Sequence, residues 1–282
     1  LGKLLWLASF PKSGNTWVRA FLANYLANSE TPVDINTLPT FALGDMRVEP
    51  FVSLSGRPAA ELSPEDIDRL RPAVQRGMAA AQRGIAFIKT HNLVSTPQGV
   101  PLIAAEATFA AIYIVRNPLD VAVSFADHYG MTPADAARAI CFPGLVIEPR
   151  EGQIKQYVSD WSSHVQSWRG AVGFRVHCVR YEDLSRAPLS SFGEIVAFLG
   201  LKPDHERLGR AVRHASFRVL ARQEKEKGFA ERSRHAKRFF RAGTVGGWRR
   251  VLRSAEVEMI VRHHGPTMLS LGYIDGEGRP KV

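Results

Sequence analysis

Only two cysteines, Cys141 and Cys178, occur among 282 residues. A disulfide framework is excluded, and a reducing, cytoplasmic setting is the simplest expectation. No apolar run reaches the ~18 residues that a membrane-crossing helix needs, so stable membrane insertion is not expected. The apolar start, residues 1–7, is too short for a signal peptide and leads straight into a polar turn, so it reads as a first strand. No cluster of His, Cys, Asp or Glu has metal-ligand spacing, and no metal is expected. Internal repeats and low-complexity tracts are missing. Acidic residues are the scarcer charge: 27 against 37 basic ones, for a net charge of +10. That balance suits an acidic ligand, nucleic acid or an anionic surface.

What is present is an alternation of elements. Strands are read at residues 1–7, 84–89, 108–115 and 174–179. Helices are read at 18–28, from Ser63-Pro64-Glu65-Asp66 to about residue 82, at 119–129 and at 151–169, with a mainly helical remainder up to Leu271. Residues 29–63, with Pro32, Pro39, Gly44, Pro50, Gly56 and Pro58, read as mostly loop. Strands alternating with helices predict an α/β fold: one domain, residues 1–282, with a central parallel sheet flanked by helices. Ligands of such sheets bind beyond the carboxyl ends of the strands. All four strands lead into polar groups there: Lys12, then Lys89-Thr90-His91, then Arg116-Asn117, then Arg180-Tyr181-Glu182-Asp183.

The first of these ends is the most informative. A strand feeding a tight turn that opens a helix is a phosphate-binding device, because the first helical N–H groups lack intrahelical partners and carry the positive end of the dipole. Lys12 adds a charge, and Ser13, Asn15 and Thr16 add neutral donors. A Walker A loop has its lysine after a second glycine and directly before Ser or Thr. Here Lys12 precedes the only glycine, Gly14, so the architecture is P-loop-like with a loop of another kind.

The segment Pro11-Lys12-Ser13-Gly14-Asn15-Thr16-Trp17 resembles the 5′-phosphosulfate loop of sulfotransferases that use 3′-phosphoadenosine 5′-phosphosulfate (PAPS). The segment from Tyr113 to Phe125 resembles their 3′-phosphate motif, with Arg116 and Ser124 at the matching Arg and Ser. Arg241-Ala242-Gly243-Thr244-Val245-Gly246-Gly247-Trp248 resembles the Arg-Lys-Gly-x-x-Gly-x-Trp segment that closes over the donor. There Ala242 replaces a lysine, so that one phosphate contact is either missing or supplied elsewhere, with Arg238 a candidate, and Gly247 replaces the aspartate of animal members. Tyr181, Trp17 and Phe217 match positions around the adenine. On these motifs, from Leu5 to Arg249, the chain is identified as a soluble PAPS-dependent sulfotransferase of bacterial style. The resemblance implies donor contacts from Lys12, Ser13, Gly14, Asn15, Thr16, Trp17, Arg116, Ser124, Tyr181, Phe217, Arg241, Ala242 and Gly243.

It also implies a reaction. Lys89-Thr90-His91 matches the family's Lys-Thr-His, which makes His91 the general base toward an acceptor hydroxyl or amine, with Lys12 and Lys89 as catalytic cations and no metal. The acceptor is expected to be a small molecule, a glycan, a lipid-linked sugar or a glycopeptide. Its walls are sought among Phe41, Met46, Phe51, Met131, Phe142 and Leu145, with residues 222–240 as a lid. The residues 249–258 break the dimer signature of animal relatives, leaving the oligomeric state open. Two other classes compete. A small-molecule kinase would need a Walker A loop and magnesium ligands. A nucleic-acid-binding module would need a continuous basic groove, whereas these charges converge on phosphate motifs, so nucleic acid is not expected as a partner.

Overall fold

The computed structural model describes every residue except Leu1, Pro97, Pro203, Ala242 and Val282. Strand β1 (Lys3–Ser9) leads to α1 (Asn15–Ala27); α2 (Leu38–Phe41), β2 (Ala42–Gly44), α3 (Glu49–Ser55) and the long α4 (Pro64–Ala80) follow. Next come β3 (Ile85–Thr90), β4 (Thr108–Val115), α5 (Pro118–Tyr129), α6 (Pro133–Ile140), β5 (Val146–Ile147), β6 (Gln156–Tyr157), α7 (Trp161–Arg169) and β7 (Arg175–Arg180). Then come α8 (Tyr181–Arg186), α9 (Pro188–Phe198), α10 (His205–His214), α11 (Phe217–Lys227) and α12 (Ser254–Ser270).

The fold is α/β with a central parallel sheet flanked by helices, in strand order β2-β3-β1-β4-β7. Strand β3 runs parallel to both β1 and β2, with Leu5 opposite Phe87 and Leu43 opposite Ile88. The central position of β1 explains its composition: Leu4 to Leu7 are fully buried, as expected of a strand covered on both faces. No helix among the described residues is long and apolar enough to cross a membrane.

The chain divides into two compact units. The first comprises Leu1–Phe10, Ala42–Tyr113 and Phe142–Cys178; the second comprises Pro11–Phe41, Ile114–Cys141 and Val179–Val282. The first holds the body of the sheet. In it, Ser63 caps α4 by accepting from Asp66 N, and the Asp66 carboxylate returns the bond to Ser63 N, a full capping box. Phe51, Ile67, Val74 and Ile154 form a core cluster in this unit. Phe51 is therefore a core residue, which corrects its expected place in an acceptor wall. The second unit is helical, and α1 packs through Phe21 on Phe192 of α9, ring centroids 4.0 Å apart.

Other expectations need correction. The helix read at 151–169 exists only as α7. Residues Gln156 and Tyr157 instead pair antiparallel with Val146 and Ile147, Ser159 adopts φ 61, and Asp160 then caps α7 by accepting from Ser163 N. Residues 29–63 are more ordered than a loop: they contain α2, α3 and the edge strand β2. Helix α1 opens at Asn15, three residues earlier than its apolar spacing implied.

Candidate functional site

In the second unit the chain leaves β1 through a turn in which Lys12 has φ 68 and Gly14 φ 106. Glycine is required at 14, since a Cβ there would lie 2.6 Å from Tyr181 Cδ2. Gly14 is the N-cap of α1 and no side chain caps it. Its carbonyl accepts from Trp17 N and Val18 N, so helical bonding begins there, while the earlier amides belong to the donor-rich first turn. Ser13 is fully buried, and its Oγ has no hydrogen-bond partner. A buried hydroxyl in that state, at the positive end of a helix, fits an anionic oxygen. Asn15 and Thr16 are buried beside it, and Thr16 Oγ1 accepts from Arg19.

Lys12 extends from the same turn. Its Nζ lies 3.2 Å from His128 Nδ1 and 4.3 Å from the ring centroid of Phe239. An ammonium only donates, so Nδ1 of His128 accepts. Arg116, at the end of β4, spans two loops: Nη1 donates to the Lys12 carbonyl (3.3 Å) and Nη2 to the Thr244 carbonyl (3.1 Å). Its guanidinium also stacks 4.3 Å from the centroid of Tyr181. Tyr181 in turn meets Trp17 edge-on at 5.4 Å. Gly243 has φ 60, and a Cβ there would sit 2.4 Å from Phe217 Cδ2. Arg241 lies 3.9 Å from Asp127, and Ser124 is half-buried two turns along α5 from Arg116. Thus Lys12, Gly14, Trp17, Arg116 and Tyr181 form one set of contacts, and Phe217 and Gly243 another. Ala242 lies outside the described residues.

Two carboxylates outside the motif positions, Glu182 in the polar group that follows the fourth expected strand and Glu224 in the expected lid, accept from backbone N–H groups here. Glu182 Oε1 accepts from Asn117 N and Oε2 from the Tyr273 hydroxyl, both at 2.9 Å. Burial pushes the Glu182 carboxyl up, and the Asn117 amide opposes that shift. Glu224, buried in α11, accepts from the backbone N–H of Phe239 (2.7 Å) and Phe240 (2.9 Å). The expected lid therefore carries an internal tether and an aromatic cluster of Phe229, Phe239 and Phe240.

In the first unit, His91 follows β3. Its Nδ1 lies 2.7 Å from the Ser9 carbonyl oxygen and 3.3 Å from Ser9 Oγ. A carbonyl only accepts, so Nδ1 carries the hydrogen, and in the neutral ring Nε2 carries the lone pair. The neighbours of His91 are pinned from beneath. Asp45, buried, accepts from Thr90 Oγ1 (2.6 Å), Asn92 Nδ2 (2.8 Å) and Gln156 Nε2 (3.0 Å), and its amide donates to the Lys89 carbonyl (3.1 Å). Burial raises the Asp45 carboxyl while Thr90 opposes the shift. Lys89 itself is half-buried in β3. The His91 carbonyl accepts from His164 Nε2 at 3.1 Å, and His164 Nδ1 accepts from the Tyr113 hydroxyl at 2.9 Å.

Burial lowers His164 to about 4. Between that value and the ordinary 6.5 the unfolded chain binds a proton that the native ring refuses. Stability is therefore expected to fall as pH drops from about 6.5 towards 4, by on the order of 3 kcal/mol from this residue. Asp45, with its carboxyl raised, works in the opposite direction. Urea unfolding at pH 7 and 4.5 of the wild type and His164→Asn isolates the histidine: the variant should lose most of the acid-side slope. An equal slope in both would show that His164 is not its source.

A sulfotransferase domain model matches residues 3–271. The chain belongs to the sulfotransferase family. Sulfotransferase 1E1 of Homo sapiens is 27% identical over 215 residues, an alignment that spans 76% of this chain but 65% of that protein, just under two thirds of its length. Sulfotransferase 1A1 of Rattus norvegicus is 26% identical over 277 residues, 94% of this chain and 84% of that protein. Two solved structures share the fold. Retinol dehydratase in complex with androsterone and the inactive cofactor PAP gives a TM-score of 0.61 at 16% identity, over 94% of this chain and 80% of that one. Mouse sulfotransferase SULT7A1 complexed with PAP gives 0.57 at 19% identity, over 95% and 84%. The contacts around Lys12 and Arg116 lie within the residues that the domain model matches.

Proposed function

We propose that this sulfotransferase domain moves a sulfuryl group from PAPS to a hydroxyl or amine of an acceptor, in a cytoplasmic setting. The observation that carries the reading is the Arg116 fork, which joins the Lys12 turn to the Thr244 segment beside Tyr181. The unpartnered, buried Ser13 hydroxyl supports an anion in that turn. Lys12, Ser13, Gly14, Asn15 and Thr16 hold the 5′-phosphosulfate; Arg116, Ser124, Arg241 and Gly243 hold the 3′-phosphate; Trp17, Tyr181 and Phe217 border the adenine. What was expected of Ala242 stays a matter of its sequence position.

The acceptor oxygen forms a bond to sulfur as the bond from sulfur to the bridging oxygen breaks, and adenosine 3′,5′-bisphosphate (PAP) leaves. His91 takes the acceptor proton through Nε2, and Lys89 neutralises sulfuryl oxygens. Lys12 meets the charge that grows on the bridging oxygen, so it stabilises the transition state more than the ground state. The complexes of retinol dehydratase and SULT7A1 support PAP as a ligand, and androsterone in the former supports a small apolar acceptor. An acceptor screen with labelled PAPS tests the whole reading; no labelled product from any acceptor, with PAP unbound, would refute it.

The donor assignment has a sharper test. Replacing Arg116 with alanine removes a charge-assisted phosphate contact worth about 1.5–3 kcal/mol. Calorimetry should show weaker PAP binding, with little change for adenosine 5′-monophosphate (AMP), which lacks the 3′-phosphate. Equal weakening of both ligands would remove Arg116 from the 3′-phosphate site.

A further inference from the structure

Asp120 lies outside the residues that the three motifs assign to the donor. It is the third residue of α5 and is 3% exposed. A carboxylate so placed needs donors. Its Oδ2 accepts from Gly246 N at 2.7 Å and its Oδ1 from Trp248 N at 3.0 Å. Both donors belong to one glycine-rich segment and are two residues apart, so together they fix its register. Gly247 lies between them, and a Cβ there would sit 3.3 Å from Thr244 Oγ1 and 3.7 Å from Asp120 Oδ1. A Cβ at 247 would press on the Thr244 hydroxyl and make only ordinary contact with the carboxylate.

Four residues earlier, Arg116 grips the same segment from the opposite polarity, donating to the Thr244 carbonyl. The start of α5 thus holds the segment at two kinds of point, with a carboxylate on its N–H groups and a guanidinium on its C=O. A bare carboxylate near a bisphosphate would repel it. Here two backbone N–H groups occupy the Asp120 oxygens, and its charge is spent on the loop.

We propose that Asp120 is a positioning residue for the donor: it latches residues 243–248 so that Gly243 and the Arg116 fork stand ready for a 3′-phosphate. The proposal rests on the donor assignment above. Asp120 does not contact the nucleotide; it acts through the backbone it holds.

The test uses Asp120→Ala and Asp120→Asn in the full chain. Alanine removes both bonds. Asparagine keeps the shape and one acceptor but turns an NH2 group toward one backbone N–H. Hydrogen exchange without ligand should speed up at the Gly246 and Trp248 amides by about tenfold or more in Asp120→Ala, with Asp120→Asn between it and the wild type. The amides of β1 and β4 should not change. Calorimetry should show PAP affinity reduced about tenfold in Asp120→Ala, partly rescued in Asp120→Asn, with AMP affinity unchanged. Unaltered exchange at the two amides overturns the latch. Faster exchange with unaltered PAP affinity overturns the positioning role alone. A wild-type protein that fails to prefer PAP over AMP overturns the donor assignment and the positioning role together, and exchange still decides the latch.

Discussion

His91→Ala is expected to lower kcat by about 10²- to 10⁴-fold, the range for loss of a general base, and to leave PAP affinity nearly intact. The expectation follows from the ring's orientation. The Ser9 carbonyl holds Nδ1–H, which leaves Nε2 to accept a proton. The wild-type rate should fall on acidification, across the range in which the general base takes up its proton. That limb should vanish in His91→Ala. His164 cannot supply it, because burial draws that ring down to about 4. His91→Asn separates two roles: its amide can still donate to the Ser9 carbonyl but cannot take a proton, so it should be as slow as alanine. An acidic limb that persists in both variants, with an acceptor ionising well above that range, would transfer the base to another residue. His128, on α5, is the next candidate.

The parts of this protein that were legible in its sequence are those written in neighbouring residues. The run from Leu4 to Phe10, the turn around Gly14 and the helix start at Ser63 each depend on a few adjacent positions, and each appears where its pattern placed it. Parallel strands buried on both faces leave long apolar runs, so β4 was plain as well. Less legible was the support beneath the site. Asp45 meets Thr90 and Asn92 across 45 and 47 residues, and nothing local marks it off from any other loop aspartate. His164 reaches the His91 carbonyl from a helix whose start the spacing misplaced, because Gln156 and Tyr157 prefer a cross-strand pairing to a helical turn. The edge strand β2 is three residues long, too short for alternation to register. Asp120 is four residues from Arg116 along the chain, yet its oxygens face backbone amides of residues 246 and 248, more than a hundred residues away.

Lys12→Ala is expected to reduce kcat by about 10²- to 10³-fold, the usual loss when one preorganised donor to a developing anion is removed. The backbone should tolerate the change. Lys12 already has φ 68, and alanine carries the same Cβ, so the conformational cost at this position is unaltered. The side chain's contact with the Phe239 ring is worth only about 0.5–1 kcal/mol at a partly exposed site, too little to unfold the chain. The effect should therefore appear in catalysis. The Lys12 ammonium lies 3.2 Å from His128 Nδ1, and on the proposed reading it meets a phosphosulfate oxygen. Its advantage is greatest once the bridging oxygen becomes anionic, so kcat should fall more than the KM for PAPS rises. The acidic limb of the rate profile should persist, unlike that of His91→Ala. Lys12→Arg should recover only part of the rate, since a planar fork replaces a compact point charge. A variant whose entire loss lies in the KM for PAPS would make Lys12 a ground-state contact and remove it from the transition state.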